Sequence, residues 1–189
     1  AQILAEIFDS ANAPSGVFNM VHGTGEAVGK SLAAHPDVDM ISFTGSVRAG
    51  AHISQEAGAT IKRITTELGG KSANILLDDA MFEEGVNVCM ALLLVNSGQS
   101  CAAPTRLLVP RTRLEEAAEI AAKSAQSVVI GDASDHSVTL GPLANEVQFN
   151  RVQTMIARGI EEGAKLVAGG TGKPDGLDKG YFVKPTAFA

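Results

Sequence analysis

The sequence predicts an α/β fold with a mainly parallel sheet, laid out as two successive units, and three observations carry that expectation. Short apolar runs alternate with amphipathic helical stretches at the spacing of crossover connections. Strand ends in the first third run into turns rich in glycine and hydroxyl residues, as at Gly23-Thr24-Gly25 and Thr44-Gly45-Ser46. The pair Gly69-Gly70 then permits a sharp change of direction, after which a new alternation begins. Residues 1–69 are therefore expected to form one half of a doubly wound fold and residues 70–189 a second α/β unit.

The elements follow in order. Ile3, Leu4, Ile7 and Phe8 fall at helical spacing, and Pro14-Ser15-Gly16 stops the pattern. Val17 to His22 reads as a short buried strand, followed by a helical run through Val28, Leu32 and Ala33 that ends at His35-Pro36. A strand from Val38 to Phe43, a helix to about Ala57 and a strand from Ile61 to Leu68 complete the first unit. The second opens with a strand from Ala73 to Leu77, a helix from about Phe82 to Val95 and a loop from Asn96 to Thr105. A strand at Leu107–Val109, helices at Arg113–Ser127 and Glu146–Glu162, and strands at Lys165–Ala168 and Tyr181–Val183 follow.

Hydrophobic residues make up 45% of the 189-residue chain and charged residues 19%, a composition that buries a core rather than staying disordered. The net charge of -6 and the lack of a basic stripe interleaved with aromatics exclude a nucleic-acid surface. Two cysteines, Cys89 and Cys101, without a spaced Cys/His quartet, give no structural zinc and point to a reduced, cytoplasmic compartment. The longest wholly apolar run, Val88 to Val95, falls well short of the roughly 20 residues of a spanning helix, so no membrane partner is expected. The amino end is amphipathic, with no basic leader or cleavage-site pattern, and no targeting signal is read there.

Four positions carry candidate chemistry. The stretch from Gly23 to Gly29, with Gly25 and Gly29 in it, lies between a strand and a helix, where backbone N–H groups favour a phosphate. Its glycine spacing is one residue longer than the dinucleotide fingerprint, and a plain strand-to-helix turn uses the same residues. Ser46 stands at a second strand end as a helix cap or a phosphate ligand. Glu67 closes a strand beside two glycines, where open α/β sheets place ligands and where surface glutamates also abound. Cys101 follows a polar loop, Asn96-Ser97-Gly98-Gln99-Ser100. Free cysteines are commonly inert core residues, but exposed loop N–H groups favour the nucleophilic thiolate. Cys89, inside the apolar helix, reads as core.

Taken together, Glu67-Leu68-Gly69-Gly70-Lys71-Ser72 and Gly98-Gln99-Ser100-Cys101 resemble the paired signature of the aldehyde dehydrogenase superfamily. Phe18-Asn19-Met20-Val21-His22-Gly23-Thr24-Gly25, His35-Pro36-Asp37-Val38-Asp39, Phe43-Thr44-Gly45-Ser46 and Gly141-Pro142-Leu143 resemble family segments in the family's order, so the likeness covers essentially the whole chain. The resemblance implies an NAD(P)-dependent oxidation of a small-molecule aldehyde to a carboxylic acid, with Cys101 as nucleophile and Glu67 as the base that activates water. It implies further that Ser46 and its neighbours Gly45 to Gly50 approach the pyrophosphate of NAD or NADP, with Gly25, Gly29, Phe43 and Thr44 also among the cofactor-binding residues. Leu68 would meet the nicotinamide, and Gln148 would lie near its ribose.

On that basis residues 1–69 are the second half of a Rossmann-like NAD(P)-binding domain, residues 70–189 the first half of the catalytic domain, and the whole protein a homo-oligomer. The family's second oxyanion donor, an asparagine, and a ribose-binding lysine belong to segments upstream of this sequence. A further ribose-binding glutamate belongs beyond Phe188. The sequence thus reads as an internal piece of the enzyme. A relative that passes the acyl group to coenzyme A is the alternative enzyme, against which an intact Glu67 counts, since transfer to a thiol needs no water-activating base. A catalytically incompetent structural fragment is the alternative of a different class.

Overall fold

The computed structural model describes residues 1–79 and 81–189, which form two compact units, Ala1–Gly69 and Gly70–Ala189. In the first unit α1 (Gln2–Ser10) is followed by a turn through Asn12 and Gly16, both in the left-handed region. This turn lets Phe18 stack on Phe8 with ring centroids 4.8 Å apart. The strand expected at Val17–His22 does not form. A strand exists by pairing, and among the described residues none pairs with this stretch; Val17 and Val21 stay about two-thirds exposed. Thr24 caps the next turn by accepting from the Ala27 N–H at 3.2 Å. That turn, Gly25–Gly29, winds as a π-helix before α2 (Lys30–Ala34).

The rest of the first unit is one crossover. Strand β1 (Met40–Thr44) pairs in parallel with β2 (Arg63–Glu67), in register from Met40↔Arg63 to Thr44↔Glu67, and α3 (Val47–Gly58) joins them. Ile61, expected to open the second strand, instead sits in the α3–β2 turn at φ 57°, which takes it out of the ladder. The buried residues here are the small Ala33, Gly50 and Ala57, together with Lys62, whose Nζ donates to Thr60 Oγ1.

The second unit has a larger interior. Strand β3 (Ala73–Ile75) pairs in parallel with β4 (Arg106–Leu108), and α4 (Phe82–Leu94) lies on the connection. Helix α5 (Leu114–Gln126) packs on α4 because alanines at four-residue intervals, Ala117, Ala121 and Ala125, form a low ridge. Phe82, Val86 and Met90 fill the space above it. Arg113 places its guanidinium 3.7 Å over the Phe82 ring. Helix α6 (Glu146–Glu161) begins at Asn145, whose side chain accepts from the Gln148 N–H at 2.9 Å.

The strand expected at Tyr181–Val183 is displaced: β5 (Leu166–Ala168) pairs antiparallel with β6 (Ala187–Phe188). Pro185, which lacks an N–H, separates the two positions, and the Tyr181 carbonyl is used elsewhere, accepting from the Leu143 N–H at 2.9 Å. Among the described residues no helix is long and apolar enough to cross a membrane.

Candidate active site

Helix α4 ends at Leu94, and the chain then reverses through Asn96 (φ 52°), Ser97 (φ 56°) and Gly98 (φ 74°), three left-handed residues in succession. For non-glycine residues that conformation costs on the order of 1–2 kcal/mol each, so local bonds must hold it. They are present. The Asn96 carbonyl accepts from both the backbone and the side-chain amide of Gln99, each at 3.1 Å, and Asn96 Nδ2 donates to the Gln99 carbonyl at 3.1 Å. Beyond this knot Ser100 Oγ accepts from the Ala102 N–H at 3.3 Å, and Cys101 emerges as an exposed free thiol.

Two longer bonds fix the knot to the rest of its unit. Ser97 Oγ donates to the Gly141 carbonyl at 2.9 Å, and Gln99 Oε1 accepts from the Ala144 N–H at 2.9 Å. Between those anchors lies Leu143, a buried side chain in a segment further tied to Tyr181. A third support comes from Gly70. A Cβ built there would stand 2.6 Å from the Cys101 carbonyl oxygen, so the close approach requires glycine. The segment after it is pinned to β4, with Arg106 Nε donating to the Lys71 carbonyl at 2.7 Å.

The other free cysteine differs in its burial. Cys89 is buried in α4, its Sγ lies 3.5 Å from the Pro104 carbonyl, and burial pushes its thiol up, partly opposed by a hydrogen bond with Asn74. A buried thiol held in its protonated form is core, not a nucleophile.

In the first unit the carboxyl ends of β1 and β2 gather most of the remaining candidates. Thr44 stands opposite Glu67, and the Gly45 N–H donates to the Glu67 carbonyl at 3.0 Å, leaving the exposed Glu67 side chain at the strand end. Phe43 lays its ring against Gly45. Ser46 caps α3 by accepting from the Ala49 N–H at 3.2 Å, and no acidic residue occupies the first turn of that helix. Gly50 is buried against Leu68, where a Cβ would meet the leucine side chain at 2.7 Å. Gly25 and Gly29 are different: open space surrounds both, neither backbone needs glycine, and Glu26 puts a carboxylate in their turn. Gln148 stands in the first turn of α6, half-buried, just beyond the Ala144 anchor of the Cys101 loop. Among the described residues no cluster of His, Cys, Asp and Glu could hold a metal.

All residues from 1 to 189 match the family model described as the aldehyde dehydrogenase family. The chain belongs to the aldehyde dehydrogenase family. Among curated relatives, this aldehyde dehydrogenase chain is 50% identical over 189 residues to the 3-succinoylsemialdehyde-pyridine dehydrogenase of a Pseudomonas species, a match over 100% of this chain and 40% of that protein. A solved aldehyde dehydrogenase C from Pseudomonas syringae, a cysteine-to-alanine mutant complexed with NAD+ and octanal, is 52% identical with a TM-score of 0.96. The match covers 99% of this chain and 39% of that one. The NAD+ complex of an aldehyde dehydrogenase from Bacillus cereus is 40% identical with a TM-score of 0.91, over 98% and 37% of the two chains. The chain thus spans about 40% of the length of the curated relatives it matches. At these scores the α/β, Rossmann-like class expected from the sequence is confirmed.

The anchors of the cysteine loop, Ser97 and Gln99, were not among the residues picked out for chemistry. The signal available was a polar Asn-Ser-Gly-Gln run directly after an apolar helix; the partners, Gly141 and Ala144, lie more than forty residues away.

Proposed function

We propose that this chain supplies the nucleophile, Cys101, and the water-activating base, Glu67, of an enzyme that oxidises an aldehyde to a carboxylic acid with NAD or NADP. The observation that carries the reading is the exposed Cys101 thiol on a loop clamped by Ser97, Gln99 and Gly70, in a chain of this family.

The residues present fit a dinucleotide. The first turn of α3 has N–H groups without intrahelical partners, carries no carboxylate, and is flanked by the side-chain-free Gly45 and Gly50. Phe43, Thr44, Gly45, Ser46 and Gly50 would hold the pyrophosphate, Leu68 would touch the nicotinamide, and Gln148 would reach its ribose. The turn at Gly25 and Gly29, with Glu26 in it, is the poorer phosphate seat. Bound NAD or NADP supplies the acceptor for the hydride that leaves the Cys101-bound adduct, so that a thioester remains on the sulfur.

The chain's own groups do the rest. The Cys101 thiolate forms a bond to the aldehyde carbon, the π pair of the carbonyl moves onto oxygen, and the Cys101 N–H donates to that oxyanion. Glu67 then takes a proton from a water whose oxygen attacks the thioester carbon. The carbon–sulfur bond breaks, the acid departs and the thiolate returns. A reduced, cytoplasmic setting suits a reaction that needs Cys101 as a free thiol.

The test uses the full-length enzyme that contains this chain. Cys101→Ala should reduce NAD-dependent aldehyde oxidation to background, while Cys89→Ala should retain most of it. Equal loss from both substitutions would assign Cys101 a packing role and overturn the reading.

A further inference from the structure

We propose that Gln99 is a positioning residue, which ties the Cys101 loop to the head of α6 and so makes the aim of the sulfur depend on the Ala144–Gln148 segment. The inference rests on the reading of Cys101 as nucleophile. Its support is the way the Gln99 amide is used at both ends. Nε2 donates to the Asn96 carbonyl at 3.1 Å, closing the left-handed knot, while Oε1 accepts from the Ala144 N–H at 2.9 Å. Asn145, the next residue, caps α6 through the Gln148 N–H at 2.9 Å. One half-buried side chain therefore connects the loop that presents the thiol to the helix that carries Gln148.

A carboxamide satisfies both contacts without a charge at every pH. Leucine satisfies neither, lysine can donate to Asn96 but not accept from Ala144, and an ionised glutamate can accept from Ala144 but faces the Asn96 carbonyl with a second acceptor. Ser97 adds a parallel tether to Gly141, so loss of Gln99 should loosen the loop without releasing it. Since a nucleophile misplaced by about 1 Å can lose about a hundredfold in rate, a loosened tether acts on the chemical step.

The experiment compares Gln99→Leu, Gln99→Glu and Cys101→Ala in the full-length enzyme, with functional Cys101 thiols titrated by iodoacetamide so that rates are expressed per reactive site. Gln99→Leu should lower kcat about tenfold to a hundredfold per titrated thiol, with little change in the KM for aldehyde and slower alkylation of Cys101. Gln99→Glu should behave close to wild type at acid pH, where the protonated carboxyl donates to Asn96 and accepts from Ala144. Relative to wild type its rate should fall as pH rises and the donor is lost. A role confined to stability would lower the number of titratable sites but leave the rate per site unchanged. That result, or losses of equal size in the leucine and glutamate variants at every pH, would overturn the proposal. If Cys101→Ala is inactive while Gln99→Leu matches wild type, positioning fails and the nucleophile stands. If Cys101→Ala remains active, the reading of Cys101 itself fails.

Discussion

From Ala1 to Gly69 the apolar side chains that are buried, among the described residues, belong to Ala33 and Ala57, whereas from Gly70 onward they include Phe82, Val86, Met90, Leu140, Leu143 and Ile156. Ile3, Ile7, Val17, Val21 and Val47 of the first unit all remain more than half exposed. Since full burial of a side chain of this size stabilises by about 1.5–3 kcal/mol, the first unit draws far less support from its own interior than the second. The two halves of the proposed chemistry divide along the same line. Cys101 stands on a loop whose hydrogen bonds, among the described residues, end within a unit that has a core. Glu67 and the segment proposed to hold the dinucleotide stand at strand ends of a single crossover with little beneath it. Within this chain the loop of Cys101 is held by bonds of its own unit, and the strand ends that carry Ser46 and Glu67 rest on a smaller interior.

The largest expected effect probes that division through the α4–α5 interface. Phe82→Ala, which removes a buried ring between Arg113 and the alanine ridge, should lower unfolding stability by about 3–5 kcal/mol. Ile3→Ala, at a site 72% exposed, should stay within about 0.5 kcal/mol. Denaturant melts of the two variants of the 189-residue chain check this, and similar losses would erase the contrast between the units.

A smaller effect of opposite sign is expected at Ile61, a β-branched residue held at φ 57° and 92% exposed. Asparagine tolerates the left-handed region far better, so Ile61→Asn should raise stability by about 1 kcal/mol. A thermal melt that shows a lower midpoint would mean that Ile61 makes contacts worth more than its backbone strain.

The same residues show what the sequence could and could not reveal. Helices α3, α4, α5 and α6 were legible because each carries its apolar face at helical spacing, and local spacing is enough to define a helix. Strands were harder, because an apolar run becomes a strand only with a partner. Val17–His22 found none among the described residues, and β5 chose Ala187–Phe188 over Tyr181–Val183 across Pro185. Cys101 and Glu67 could be picked out as candidates by residue type, loop context and resemblance. Ser97 and Gln99 showed only as part of a polar run after an apolar helix, since their bonds to Gly141 and Ala144 are encoded by no local pattern.

The proposed division of labour between Cys101 and Glu67 is tested most directly by Glu67→Gln in the full-length enzyme, mixed with excess aldehyde and NAD and examined both for reduced cofactor and by peptide mass. With the base removed and the nucleophile intact, reduced cofactor should appear in a burst near one per active site, followed by slow turnover, and the acyl group should be found on the peptide that contains Cys101. A variant that turns over at the wild-type rate, or that carries its acyl adduct on the Cys89 peptide, would contradict the account.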